Sequence, residues 1–172
     1  MPLSPKTFGI AVAAVVVTTV APLSGALADE LQATRRLSAE MASDAVRAAV
    51  MHCASQGYAE TAVVVDADGV RQAVLRGDRA GSHTLDSAFD KAFTSASFKA
   101  DTSALVERAK TVQLGYLGLF TQLPHLILVS GGVVIKVGDE VIGAIGAGGA
   151  PGGDLDDACA RAGIEKIRDR LK

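Results

Sequence analysis

Residues 61–76 constrain the fold of this chain more than any other stretch. Thr61 to Val65 is a continuous run of β-branched and small apolar residues. A strand with one wet face would alternate apolar and polar positions, so this run reads as a central strand buried on both faces. Asp66-Ala67-Asp68-Gly69 follows, a hairpin turn with glycine at the position that takes positive φ, and Val70 to Arg76 returns as the partner strand. A tight hairpin joins only antiparallel neighbours. The chain must therefore build a mainly antiparallel sheet and cover its centre with other elements.

Helical periodicity supplies those elements. Ser38 is placed to cap a helix, with Glu40 in its first turn and Ala42, Val46, Ala49, Val50 and Cys53 on one stripe up to Gly57. Thr84 can cap a second helix, with Asp86 in its first turn. Its apolar face is Leu85, Ala88, Phe89, Ala92, Phe93 and Ala96, the clearest amphipathic pattern in the sequence. A third helix starts at Asp101 or Ser103 and carries Leu105, Val106 and Ala109. A loop with Gly115, Gly118 and Pro124 leads to three expected strands, Leu126–Val129, Val133–Val137 and Val141–Gly146, separated by Gly131-Gly132 and Gly138-Asp139-Glu140. A glycine-rich turn, Gly146 to Gly153, opens a last helix from about Asp154 to Leu171. The expected order is α-β-β-α-α-β-β-β-α, an α+β domain in which helices pack on a five-stranded sheet in two or three layers.

The amino terminus reads as a cleavable export signal. Lys6 gives a positive start, Ile10 to Val20 is uncharged and too short for a comfortable membrane span, and Ala26-Leu27-Ala28 offers small residues to a signal peptidase. Cleavage is expected after Ala28, with the product periplasmic or extracellular; an uncleaved anchor is the other reading of the same run. Taking residues 1–28 from the 172-residue chain leaves a domain over residues 29–172. Losing Lys6 leaves 16 basic against 19 acidic residues, a balance that gives no reason to expect a nucleic-acid partner. No later stretch approaches membrane-spanning length.

Motifs exclude more than they assign. Gly146-Ala147-Gly148 starts like a dinucleotide fingerprint, but Pro151 stands where the third glycine belongs, and no strand follows to carry the ribose-binding acid. There is no P-loop, HExxH, GxSxG or CxxCH. Cys53 and Cys159 fit either a disulfide, which an oxidising compartment would preserve, or two separate buried thiols. His52 lies mid-helix, and His125 follows Pro124 in a loop. His83 precedes the Phe-rich helix, with Arg76, Arg79 and Lys91 nearby in sequence. An imidazole, cations for carboxylates and a wall from Phe89 or Phe93 suit an anionic iron macrocycle such as haem; the same residues also suit a solvated loop capping a helix.

Four segments, in order and spacing, resemble the GlcG/HbpS-like haem-binding or haem-degrading proteins over nearly all of residues 29–172. They are Ala62–Gly69, Lys91-Ala92-Phe93-Thr94-Ser95-Ala96, Gly131-Gly132 and Val141–Gly146, with Gly152-Gly153-Asp154-Leu155-Asp156 at the last helix. The export signal and the Gly77–Asp86 segment place it nearer the secreted branch. The resemblance implies a profilin-like sandwich, assembly into homo-oligomers and haem or a related tetrapyrrole as ligand. Domains of this kind attached to corrinoid adenosyltransferases point to large tetrapyrroles too. It carries Lys91 and Thr94 over from the helix motif and Gly131 and Gly132 from the turn, where a ligand could approach closely. His83 is the candidate for the iron, with Arg76 beside it.

Three functions follow as expectations. The first is an exported haem-binding protein that stores, scavenges or passes haem to a sensor or receptor. The second is an enzyme that breaks haem down oxidatively and releases iron. The third is a small-ligand or structural domain, which the 4% aromatic content favours unless subunit interfaces complete the pocket wall.

Overall fold

The computed structural model describes residues 33–111, 118, 120 and 122–172. The expected signal segment, residues 1–28, and Gly115 of the long loop lie outside the described residues. Among the described residues the elements are α1 (Ala39–Ser55), β1 (Thr61–Asp66), β2 (Arg71–Arg76), α2 (His83–Phe98), α3 (Thr102–Ala109), β3 (Gly132–Val137), β4 (Glu140–Gly148) and α4 (Gly153–Ile167). A 3-10 turn over Arg168–Arg170 ends the series.

The hairpin forms as its sequence dictates. Asp66 organises the turn: its Oδ1 accepts from the amides of Asp68 at 3.0 Å and Val70 at 2.9 Å, and its own amide donates to Val70 O. All six residues of β1 are buried, and β1 lies inside a sheet of order β2-β1-β4-β3, antiparallel at every junction. The sheet has four strands, not five. Leu126–Val129 has strand-like composition but stays outside the ladder. Its Ile127 amide is taken by the Thr94 hydroxyl at 2.9 Å, so a side chain of α2 replaces the neighbouring strand that would have satisfied it.

Alternate β1 residues face opposite layers. Val63 and Val65 pack with Ala144 against Ala88, Phe89, Ala92 and Ala96 of α2. Ala62 and Val64 join Ile135 and Ile145 against α1 and α4. The result is three layers, with α2 on one face of the sheet and α1 and α4 on the other. Gly146 sets how closely α2 approaches: a Cβ there would lie 2.6 Å from Ala92 N and closer still to Ala88 O. Ser38 caps α1 as expected, its Oγ accepting from Met41 N at 3.2 Å. The cysteine alternatives resolve into a Cys53–Cys159 disulfide, Cα–Cα 5.7 Å, which ties the end of α1 to the middle of α4.

Candidate functional site

The most chemically organised surface sits over α2 at a residue that sequence patterns left in a loop. His125 is held in the left-handed region, φ +65°, a conformation that costs a non-glycine residue and tends to persist where the surroundings demand it. Thr94 Oγ1 donates to His125 O at 3.2 Å and accepts the Ile127 amide, so the hydroxyl clamps both sides of this backbone kink. The ring stands edge-on to Phe89, centroids 4.9 Å apart at 68°, and to Phe93, 5.8 Å at 66°. Its Nδ1 meets Asp90 Oδ1 at 2.9 Å. A carboxylate on one ring nitrogen fixes the tautomer and leaves the other nitrogen's lone pair free, so Nε2 is the nitrogen that can bind a metal. The His125 side chain is 50% exposed. Arg71 places its guanidinium carbon 3.3 Å from the Phe89 centroid, adding a cation beside the aromatic pair.

Phe89, Asp90, Phe93 and Thr94 converge because α2 presents them within two turns, at spacings of three and four. Phe89 and Phe93, expected as a wall beside His83, stand instead against His125. Sequence reasoning missed this histidine because its partners lie 31 to 36 residues upstream. Its one local sign was a position between proline and an apolar run.

The residues expected to line a ligand separate into three groups, of which Thr94 under His125 is one. Lys91, Gly131 and Gly132 come together in the interior. Lys91 is buried, its Nζ donating to Ala147 O at 3.0 Å and ion-paired with buried Asp156. Asp156 Oδ1 in turn accepts from Ala150 N at 3.0 Å. Gly131 has φ +119°, and a Cβ on it would lie 3.0 Å from Lys91 Nζ and 2.7 Å from Asp156 Cβ. At Gly132 a Cβ would meet Lys91 O and, at 2.8 Å, Thr102 Cγ2. In this structure the missing side chain of Gly131 makes room for the Lys91–Asp156 pair, and that of Gly132 for the α2 backbone at Lys91.

His83 lies about 12 Å from Lys91 along the helix, eight residues at 1.5 Å each. Its ring is exposed at the start of α2 and rests on Gly81, where a Cβ would lie 2.6 Å from its Cε1. Arg76, the last residue of β2, and Arg79, in the β2–α2 connection, are exposed. Arg79 also lines a cleft of about 510 Å³ together with Val50, Met51, Ala54, Tyr58 and Glu60, which contains no imidazole. Ligand chemistry, more than volume, favours the His125 surface for a metal-bearing group.

Glu60 belongs to the interior charge cluster. It is 1% exposed, and its Oε1 has no hydrogen-bond partner among the described residues. Burial first, and then the Asp156 carboxylate, push its carboxyl up to about 8, against the opposing pull of Lys91.

The chain matches the family model described as "Haem degrading protein HbpS-like" over residues 37–165. It belongs to the HbpS-like family. A double mutant of Streptomyces reticuli HbpS is 36% identical, with 86% of this chain and 97% of that one covered at a TM-score of 0.71. A heme complex of PduOC is 26% identical, covering 77% and 96% of the two chains at a TM-score of 0.69. The ORFY protein of Klebsiella pneumoniae, at 23% identity and a TM-score of 0.75 over 83% and 97% of the chains, shares the fold. No curated protein matches the chain. The HbpS-like resemblance read from the sequence is thus correct, and so is the α+β class, with four strands in place of five.

Proposed function

We propose that this HbpS-like protein binds haem, with His125 as the iron ligand. The observation that carries the reading is the His125 ring itself: oriented by Asp90, half exposed, and standing on Phe89 and Phe93. This donor set fits a flat, anionic, iron-bearing macrocycle. Nε2 is the iron donor, Asp90 keeps the imidazole in the matching tautomer, and Arg71 offers charge to a propionate. Leu123 and Val129, in the same segment as His125, are 51% and 41% exposed, apolar surface that a bound macrocycle or a second subunit would cover. The PduOC complex supports the ligand class, since a relative of the same fold was solved with heme. Haem supplies redox-active iron; the chain supplies the ligand, its orientation and partial shelter from water.

Titrating the protein with hemin should give a saturable Soret shift. His125→Ala should lose most of it, and Asp90→Asn should weaken it severalfold. A His83→Ala variant separates the two imidazoles. If it abolishes the shift while His125→Ala does not, the iron belongs to His83 with Arg76 and Arg79.

Storage, scavenging or delivery to a sensor is the role proposed for the bound haem. The Cys53–Cys159 disulfide supports export to the periplasm or outside the cell, because such bonds persist in oxidising compartments. Amino-terminal sequencing of the exported protein should begin at Asp29. A homo-oligomer would cover Leu123 and Val129 and complete the pocket wall, so haem loading should track the oligomer in light scattering. The family description supports a second reading, oxidative haem breakdown. Incubating the complex with a reductant and oxygen decides it: bilin and iron release establish an enzyme, and lasting haem absorbance establishes a binding protein.

A further inference from the structure

Haem binding leaves unexplained a buried carboxyl that touches the disulfide. Cys53 Sγ lies 3.0 Å from Glu60 Oε2, and Cys53, Cys159 and Glu60 are all at least 98% buried. A disulfide sulfur has no proton to give. The contact is therefore a hydrogen bond only when Glu60 is protonated and donates to sulfur. The surroundings keep it protonated: the apolar core desolvates the group and Asp156 of α4 repels its charge, while Lys91 of α2 only partly offsets them. A carboxyl in such a place weakens the core relative to an apolar side chain of the same size, so it calls for another role.

We propose that Cys53–Cys159 is a thiol–disulfide exchange site for a small dithiol, and that Glu60 is the proton donor to the departing Cys53 sulfur. The cleft lined by Val50, Ala54, Tyr58, Ala59 and Glu60 runs along the last turn of α1, which carries Cys53. Its remaining charged lining is Asp78 and Arg79 of the β2–α2 connection. Neither cysteine lines the closed cleft, so access to Cys159 requires this turn to open. Helix ends open more readily than helix middles, and the narrow opening admits a small reductant and not a whole protein. A thiolate of the dithiol attacks Cys159 Sγ and the S–S bond breaks. The electron pair leaves on Cys53 Sγ, which takes the Glu60 proton. The second thiol of the reductant, losing its proton, then attacks its own sulfur in the mixed disulfide and releases Cys159, which is protonated. The proton shed by the first attacking thiol restores Glu60. Overall, two electrons and two protons pass to the protein and the dithiol closes into a cyclic disulfide. A thiolate expelled into this apolar interior without a proton would be strongly disfavoured.

Dithiothreitol is the probe, with free thiols counted by alkylation and mass measurement on the folded, haem-free protein. Rates are divided by the dithiothreitol thiolate concentration at each pH. The wild type should show a rate that rises with dithiothreitol and, once normalised, falls at least tenfold between pH 6.5 and 9.5. Glu60→Gln should be at least tenfold slower at pH 6.5 and flat across the range. Glu60→Asp, which keeps a carboxyl, should restore the pH dependence at a lower rate. A flat normalised profile in the wild type overturns the proposal. So does a rate independent of dithiothreitol concentration, which would mean that global unfolding limits access, or a Glu60→Gln profile that matches the wild type.

Discussion

Lys91 and Glu60 show how single side chains in this core acquire their energetics from groups far away in sequence. Lys91 pairs with Asp156, both about 95% buried, and with the Ala147 carbonyl. Removing one partner of a buried pair leaves an uncompensated charge, whereas replacing both with apolar groups is often tolerated. Lys91→Met should therefore cost about 3–5 kcal/mol in urea unfolding, and the double variant Lys91→Met/Asp156→Leu should recover much of the loss. Glu60 predicts a pH effect of definite sign. Its carboxyl titrates at about 8 in the folded protein against 4.5 in an ordinary setting. Between those values the folded state holds the proton more tightly than the unfolded chain, so the stabilisation is complete below 4.5 and is lost as pH rises through about 8. At about 1.4 kcal/mol per tenfold change in proton affinity, the ceiling is about 5 kcal/mol. Unfolding free energies at pH 5 and pH 9 should differ markedly in the wild type and much less in Glu60→Gln. Equal slopes in the two proteins would show that Glu60 titrates normally.

At the scale of elements, α2 joins the structure to its candidate function. One face packs on β1 and β4, and Phe89, Asp90, Phe93 and Thr94 hold His125. Its seat on β4 depends on Gly146, where a methyl group would collide with the Ala88 carbonyl and approach Ala92 N to 2.6 Å. Both opposing groups are helix backbone and cannot rotate away. Gly146→Ala should cost about 1–3 kcal/mol or more by thermal melting, and by shifting α2 it should weaken hemin binding as well. Much of this element was legible. The apolar spacing of α2, the central position of β1 and the hairpin all follow from local patterns, because burial on one face or two leaves a period in the sequence. Leu126–Val129 has the composition of a strand and is not one for the opposite reason: the partner of Ile127 N is a threonine hydroxyl on α2, a contact with no local signature. Lys91 and Gly131-Gly132 were singled out, but their association through Asp156 spans 65 residues and only the fold reveals it. His125 carries no such signature, because neither its positive φ nor its carboxylate partner can be read from neighbouring residues.

For the whole molecule, the disulfide fixes relations that the sheet alone leaves to packing. Cys53 and Cys159 are 106 residues apart and join the two helices that cover one face, α1 and α4. The bond closes a loop containing all four strands and α2, the element that bears the candidate haem site. In the chain-entropy account, closing a loop of this length removes about 4–5 kcal/mol of freedom from the unfolded state. Cys53→Ala/Cys159→Ala should accordingly unfold about 4 kcal/mol more easily, less whatever packing the smaller side chains recover. The site over α2 uses the other face of the sheet and no residue of α1 or α4. Hemin affinity per folded molecule should therefore survive in the double variant at temperatures well below its melting point. Measuring the Soret shift and the urea midpoint on one preparation tests both statements. Loss of affinity in protein that is still folded would show that tension between α1 and α4 reaches through the sheet to His125, and that the disulfide sets the geometry of the site as well as its stability.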